Sequence, residues 1–441
     1  MGLSKKPYKG TRDFFPKEKR IQDYMFQMMK KTAESFGYES YDGPLLEEVE
    51  LYKAKSGEEL INEQIYSFED RGNRFVAIRP EMTPTVARMV ANIHKEVSKP
   101  IRWFSIPNLM RYEKPQKGRL REHWQFNCDI FGASDRWGEI EILQVAVNLL
   151  KSFGANSSMF EIQINDREIV DCIFKNILKV DSETSYRLYK IIDKSKKVPK
   201  DAVSKMLDEQ TKMTDKEKVQ FFEYLELKSF SEAVSYLEKN NQKDNTQSLK
   251  SLIDQINILG LEEYIKYDPA IVRGLDYYTG IVFEIFDKHP DNRRAICGGG
   301  AYANLLKIFN EEPLAGVGFG LGDVTLKDFL ETHNLLPDLS LPKNDLYITF
   351  QDENCLDESL KLAQNLREKD LNVVTNFSAL KFKKVFSNAE KAGAKFVSLI
   401  GQKELDNKSI LIKNLKSKEQ KEFKLNQIEE VYSFIIEGNN E

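Results

Sequence analysis

The sequence predicts an α+β protein of about three units, and three observations carry that reading. The first third mixes helix and strand, the character switches abruptly to continuous helical punctuation near Asp166, and strands alternate with helices beyond a proline-marked stretch at 335–342. At 441 residues and roughly 150 residues per domain, length alone gives the same number.

Taken in order, Arg20 to Phe36 puts Ile21, Tyr24, Met25, Met28 and Met29 on one helical face, and Gly37 is a natural stop. Strand-like segments follow at Arg74 to Ile78, Arg102 to Ile106 and His123 to Phe131. The charged run Arg111 to Glu122, with Pro115 and Gly118, reads as the loop of a long antiparallel hairpin. In the helical region Ser229-Phe-Ser-Glu232 fits a capping box, and Phe230, Ala233, Val234 and Leu237 then recur at helical spacing. Strand character returns at Ile271 to Phe286, followed by Cys297-Gly-Gly-Gly300 and by glycines at 316, 318, 320 and 322. Residues suited to chemistry flank the helical segment on both sides. It is therefore expected to interrupt one domain, giving 1–165 and 267–334 as two parts with 166–266 inserted. After the linker come a strand (Leu346 to Phe350), a helix (Glu358 to Arg367), a strand (Asn372 to Val374), a helix (Leu380 to Ala392) and a strand (Lys395 to Ile400). That alternation predicts a small α/β domain, 343–441, with a mainly parallel sheet.

Composition excludes several function classes. Lys plus Arg is 65 and Asp plus Glu is 69, a net charge of −4, so there is no basic coat and any RNA or DNA partner must be held by local patches. With 41% apolar and 30% charged residues the chain reads as soluble and globular rather than disordered. Cys128, Cys172, Cys297 and Cys355 lie far apart without a C-x-x-C pair, which argues against a zinc site or a disulfide framework. The N-terminus has no signal-like apolar run and no stretch reaches the ~18 apolar residues of a membrane span. A cytoplasmic location is expected.

Three clusters carry chemistry. At strand spacing, Trp124, Phe126, Cys128 and Ile130 face one side of His123 to Phe131, and Gln125, Asn127 and Asp129 the other. The polar side is either a half-exposed amphipathic face or a pocket floor; Arg111, Glu113, Arg119 and Arg121 on the preceding hairpin favour the floor, because those charges need partners. Arg79-Pro-Glu-Met-Thr-Pro84 holds Glu81 and Thr83 between two prolines, a rigid loop suited to an ammonium group, although read alone the motif is better explained as a surface turn. Arg273-Gly-Leu-Asp-Tyr-Tyr-Thr-Gly280 packs a cation, two phenols and two glycines into eight residues. The alternating glycines from Gly316 lack the order of a dinucleotide fingerprint and fit a strand kept bare on one face, for a flat ligand or a closely packed helix.

Together, Arg79-Pro-Glu-Met-Thr83, Arg111-Tyr-Glu-Lys-Pro-Gln-Lys-Gly-Arg119, Gln125, Asp129 and Arg273-Gly-Leu-Asp-Tyr-Tyr278 resemble the motifs of the histidyl-tRNA synthetases, a branch of the class II aminoacyl-tRNA synthetases. The resemblance spans essentially the whole chain, from Lys9-Gly-Thr-Arg-Asp13 onward. It implies an antiparallel-sheet catalytic domain with an all-helical insertion, a C-terminal α/β anticodon-binding domain, and a homodimer. It also implies a two-step reaction in which ATP, with Mg²⁺, and L-histidine give an adenylate that charges tRNA(His). By resemblance Arg111 and Arg273 are catalytic, clamping the α-phosphate and the carboxylate, while Glu113 and Arg119 bind ATP together with Arg111. Glu81, Thr83 and Gln125 hold the α-amino group, Asp129 and Tyr278 bond the imidazole nitrogens, and Met82 and Tyr277 complete the histidine site. Gln116 reaches the acceptor end of the tRNA, and the insertion contacts the acceptor arm.

Two departures from the family pattern stand out. The arginine usual near the γ-phosphate is Thr325, which leaves that contact weaker or to another cation such as Arg119. The usual Gly-Gly-Arg-Tyr-Asp is Gly299-Gly-Ala-Tyr-Ala303, so an arginine and an acid are lost together, as when a structural ion pair disappears whole. A second class of function, a non-catalytic synthetase-like sensor or regulatory subunit, is weakened by the C-terminal domain, which such regulatory relatives generally lack. In that domain Lys381, Lys383, Lys384, Lys391 and Lys395 with Phe382 and Phe386 suit an anticodon loop, or form an ordinary solvated helix face.

Overall fold

Hydrophobic alternation builds the molecule around one large, mainly antiparallel sheet. The computed structural model describes residues 2–54, 63–133, 136–272 and 278–439. Their contacts divide into two units, Met1–Asp13 with Gln22–Leu336, and Phe14–Ile21 with Pro337–Glu441.

In the first unit the sheet runs in the order Glu39–Ser40, Ile101–Ser105, Glu122–Phe131, Gly316–Gly322, Ala295–Tyr302, Ile281–Asp287, Phe160–Asp166 and Ile265–Tyr267, with Asn108–Met110 pairing beside Glu122–Phe131. Only the two outermost pairs are parallel. The hairpin expected around Arg111 to Glu122 forms, because Asn108 pairs with Trp124 and Met110 with Glu122 in antiparallel register. Glu122–Phe131, hereafter the platform strand, buries Phe126, Cys128 and Ile130 in the core, where helix Trp137–Ser152 contributes Ile140, Leu143 and Val147. Helix Pro16–Ser35 starts four residues earlier than the periodicity suggests and stops before Gly37, whose φ is +76°.

From Arg167 to Ile258 the chain is helical, and the helices do not form a separate body. Their buried Leu188, Ile191, Phe221, Leu237 and Leu252 belong to the same apolar cluster as Phe160, Ile164, Ile281 and Phe283 of the sheet. Asn165 pins the junction, its buried Nδ2 donating to the Tyr224 hydroxyl and to the Pro269 carbonyl, both at 3.0 Å. Ser229 caps its helix by accepting from the Glu232 amide at 3.1 Å, but Glu232 turns back to the Lys228 amide, so only half of the expected box is made.

The second unit carries a five-stranded sheet, ordered Val373–Thr375, Asn344–Phe350, Ala394–Ile400, Ser409–Asn414 and Gln420–Lys424. Its first three strands are parallel, as read from the sequence, and the last two close it antiparallel. The four cysteines are buried, and none is in a disulfide.

Candidate active site

The polar side of the platform strand is the floor of a cleft. Gln125, Asn127 and Asp129 line it together with Glu81, Thr83, Arg111, Tyr278 and Tyr302. Strand register explains the alternating glycines: Gly322, Gly320 and Gly318 lie opposite Gln125, Asn127 and Asp129. A Cβ at Gly318 would sit 2.1 Å from Asp129 Oδ1, and one at Gly320 would sit 2.7 Å from the Gln125 side chain. The bare face therefore makes room for the polar side chains of the neighbouring strand.

The loop before helix Thr83–Ile93 forms another wall. Arg79 fixes it from below, donating to Asn108 O (3.0 Å), Asp42 Oδ1 (2.9 Å) and Gly43 O (2.8 Å). Arg111 Nε donates to Pro80 O at 2.9 Å, tying hairpin and loop together. Glu81 is buried and faces the cleft with Thr83, whereas Met82 turns into the core at the helix start and does not line the cleft.

Asp129 has an unusual environment for a carboxylate. Burial raises its pKa from 3.8 to about 7, and the hydrogen bond it accepts from the Tyr302 hydroxyl pulls the other way. Asp129 is thus only partly ionised at neutral pH. Tyr302 and Asn127 join the cleft without having been singled out as site residues. The sequence signal for Tyr302 is its place between Ala301 and Ala303 in Gly299-Gly-Ala-Tyr-Ala303, and Asn127 shares the polar face of the platform strand.

The other end of the cleft is the hairpin. Glu113 is buried; its Oε2 pairs with Arg119, while its Oε1 has no hydrogen-bond partner among the described residues. Arg121 holds the base of the hairpin, stacked 4.0 Å over Tyr112 and donating to the Tyr8 hydroxyl at 2.8 Å. Gln116 and Arg119 close the tip through paired backbone bonds of 3.0 Å, leaving the Gln116 side chain exposed. Nearby, burial first and then the charges of Arg111, Arg12 and Arg119 push the pKa of His123 down to about 3. Beyond the tip is a cavity of about 190 Å³ whose wall includes Lys117, Gly118, Asn292, Arg294, Thr325 and Asp328.

Arg273 and Tyr277 lie outside the described residues. At the altered glycine motif, Ala301 is buried beside Gly280, whose other flank meets Glu139. The cation serving Glu139 is Arg136, at 2.8 Å, which also pairs with Asp166 at 2.7 Å and Glu168 at 2.9 Å. In the second unit, Phe382 is exposed and Phe386 is half-buried with Lys413 5.2 Å above its ring, so the two interleaved aromatics face different surroundings. Among the described residues no group of three or more His, Cys, Asp or Glu could hold a metal ion, and no helix is long and apolar enough to cross a membrane.

An antiparallel sheet bearing an Arg-x-Glu hairpin next to a glycine-alternating strand is the catalytic fold of class II aminoacyl-tRNA synthetases. Comparison with known proteins narrows this: a family model described as histidyl-tRNA synthetase matches residues 10–324, and one described as anticodon binding domain matches 342–434. The chain is 42% identical over 429 residues to the histidine–tRNA ligase of Leptospira biflexa, covering 96% of each. It is 36% identical to the chloroplastic/mitochondrial histidine–tRNA ligase of Arabidopsis thaliana, covering 96% of this chain and 86% of the relative. The solved histidyl-tRNA synthetase of Nostoc sp. shares the fold, with a TM-score of 0.79 over 98% of this chain and 99% of that one at 23% identity. The chain belongs to the histidyl-tRNA synthetase family.

Proposed function

We propose that the chain activates L-histidine with ATP and transfers it to tRNA(His), with the cleft along the platform and glycine strands as the site of both steps. One observation carries the assignment of the site. Glu81, Thr83, Arg111, Gln125, Asp129 and Tyr278, drawn from four separate segments, converge on one cleft.

The chemistry follows from that arrangement. Glu81, Thr83 and Gln125 receive the α-ammonium group, and Asp129 accepts one imidazole N–H while Tyr278 meets the other nitrogen. A side chain without those nitrogens leaves buried polar groups unpaired, a penalty that can reach ~10⁴-fold in selectivity. Tyr302 is a positioning residue, since its hydroxyl holds the Asp129 carboxylate. A carboxylate oxygen of histidine attacks the α-phosphorus of ATP, the bond to the bridging oxygen breaks, and pyrophosphate leaves. Arg111 neutralises charge on the pentavalent phosphorus; the same role for Arg273 rests on its motif. In the second step the hydroxyl of the tRNA's terminal adenosine attacks the acyl carbon and AMP departs. The orphaned Glu113 Oε1 is an acceptor suited to the adenine amino group, and Arg119 lies beside it. Mg²⁺ enters this reading bound to the triphosphate, and Gln116 at the exposed hairpin tip meets the acceptor end of the tRNA.

The relatives named above are histidine–tRNA ligases along nearly their full length, which favours the enzyme over the regulatory-subunit alternative. A homodimer and a cytoplasmic setting belong to the same reading. The test is ATP–pyrophosphate exchange with each of the twenty amino acids: exchange with histidine alone supports it, and none with histidine at saturating Mg²⁺-ATP rejects it.

A further inference from the structure

The cavity beyond the hairpin tip holds a cation, Arg294, that the family motifs do not name. Arg294 immediately precedes strand Ala295–Tyr302 and runs beneath the hairpin tip. A Cβ built on Gly118 would lie 3.0 Å from Arg294 Cδ, 3.8 Å from its Nε and 3.5 Å from Thr325 Cγ2. Arg294 and Thr325 thus close on the same point of the cavity wall, one from the start of a strand and one from the first turn of helix Asp323–Thr332.

Thr325 supplies no charge there. Its hydroxyl donates back to Ile296 O at 3.1 Å and Gly322 O at 3.3 Å. Of the other cations near the tip, Arg119 pairs with Glu113 and Lys117 Nζ reaches the Asp291 carbonyl at 3.4 Å, while Arg293, which also lines the cavity, is exposed where Arg294 is half-buried. Arg294 makes no hydrogen bond or ion pair among the described residues. Burial and the Arg119 charge lower its pKa, with Glu113 opposing more weakly. Asp287, Asp291 and Asp328 also line the cavity, but none pairs with Arg294, and a half-buried guanidinium beside a second cation is suited to an anionic ligand.

We infer that Arg294 binds the γ-phosphate of ATP in place of the arginine that Thr325 replaces. The guanidinium reaches the cavity from the neighbouring strand instead of the helix, so the charge is kept while its point of attachment moves. This inference rests on the reading of the cleft as the site of histidine adenylation.

The experiment is histidine-dependent ATP–pyrophosphate exchange with the full chain, comparing wild type, Arg294→Ala, Arg294→Lys and the double variant Arg294→Ala/Thr325→Arg. Arg294→Ala should raise KM for ATP about tenfold to hundredfold, the usual worth of one charge-assisted hydrogen bond, with KM for histidine unchanged. Arg294→Lys should fall between, and Thr325→Arg should restore part of the loss. As a control on folding of the cavity, histidyl-sulfamoyl adenosine, which lacks the β- and γ-phosphates, should bind Arg294→Ala as it binds wild type. An unchanged KM for ATP, or a parallel loss of affinity for the analogue, overturns the inference and leaves the adenylation reading standing. No exchange in the wild type overturns both.

Discussion

The cleft on the platform strand and the cavity beyond the hairpin tip, proposed as the amino-acid end and the nucleotide end of the site, are built on different terms. At the amino-acid end the polar floor is fixed by strand register: Gln125, Asn127 and Asp129 alternate inward, and Gly318 and Gly320 stand opposite to make room. At the nucleotide end the groups come from a hairpin tip, the residue before a strand and the first turn of a helix. The difference teaches where substitution is tolerated. A register-built site cannot change one residue without displacing its cross-strand neighbour, whereas a loop-built site can move a charge from one backbone position to another and keep its function.

The largest expected effect breaks the register. Asp129→Ala should raise KM for histidine on the order of 100-fold or more, because it leaves an imidazole nitrogen and the Tyr302 hydroxyl unpaired. Gly318→Ala should do comparable damage, since its Cβ would meet Asp129 Oδ1 at 2.1 Å, while Gly322→Ala, whose nearest neighbour is Thr325 Oγ1 at 3.5 Å, should leave histidine binding near wild type. Similar losses at both glycines in exchange kinetics would erase the contrast between the two ends.

A second test uses pH. The folded state holds the Asp129 proton more tightly than the unfolded chain between pH 3.8 and about 7, so this group costs stability as pH rises through that window. Asp129→Asn should therefore raise Tm more at pH 8 than at pH 5, read by differential scanning calorimetry, even as it impairs histidine binding. An equal shift at both pH values would contradict the buried, proton-holding carboxylate. Tyr302→Phe is expected to be milder, about tenfold in KM for histidine at pH 7. Because the lost hydrogen bond had favoured the ionised form, the loss should shrink as pH rises. The smallest effect lies in the second unit, where Phe382→Ala should lower kcat/KM for tRNA by several-fold in aminoacylation, in keeping with the loss of one stacked base.

How much was legible in the sequence follows the same division. Period-two alternation in His123 to Phe131 located the platform and its inward-facing side chains, and the glycine strand was read as bare on one face. Arg294 was not legible, because a residue that precedes a strand has no periodicity and its role depends on a helix turn 31 residues further on. Met82 was placed in the site by motif, but an apolar side chain at a helix start is drawn into the core. The edge strand Gln420–Lys424 is not legible for a related reason: Phe423 is its only buried residue, too little for an alternating pattern.

The central claim is that Asp129 makes the cleft a histidine site. Calorimetric titration of L-histidine into wild type and Asp129→Ala at pH 7.5 tests it most directly. The wild type should bind saturably and the variant at least about 100-fold more weakly; equal affinity in the two proteins would remove Asp129 from the histidine site.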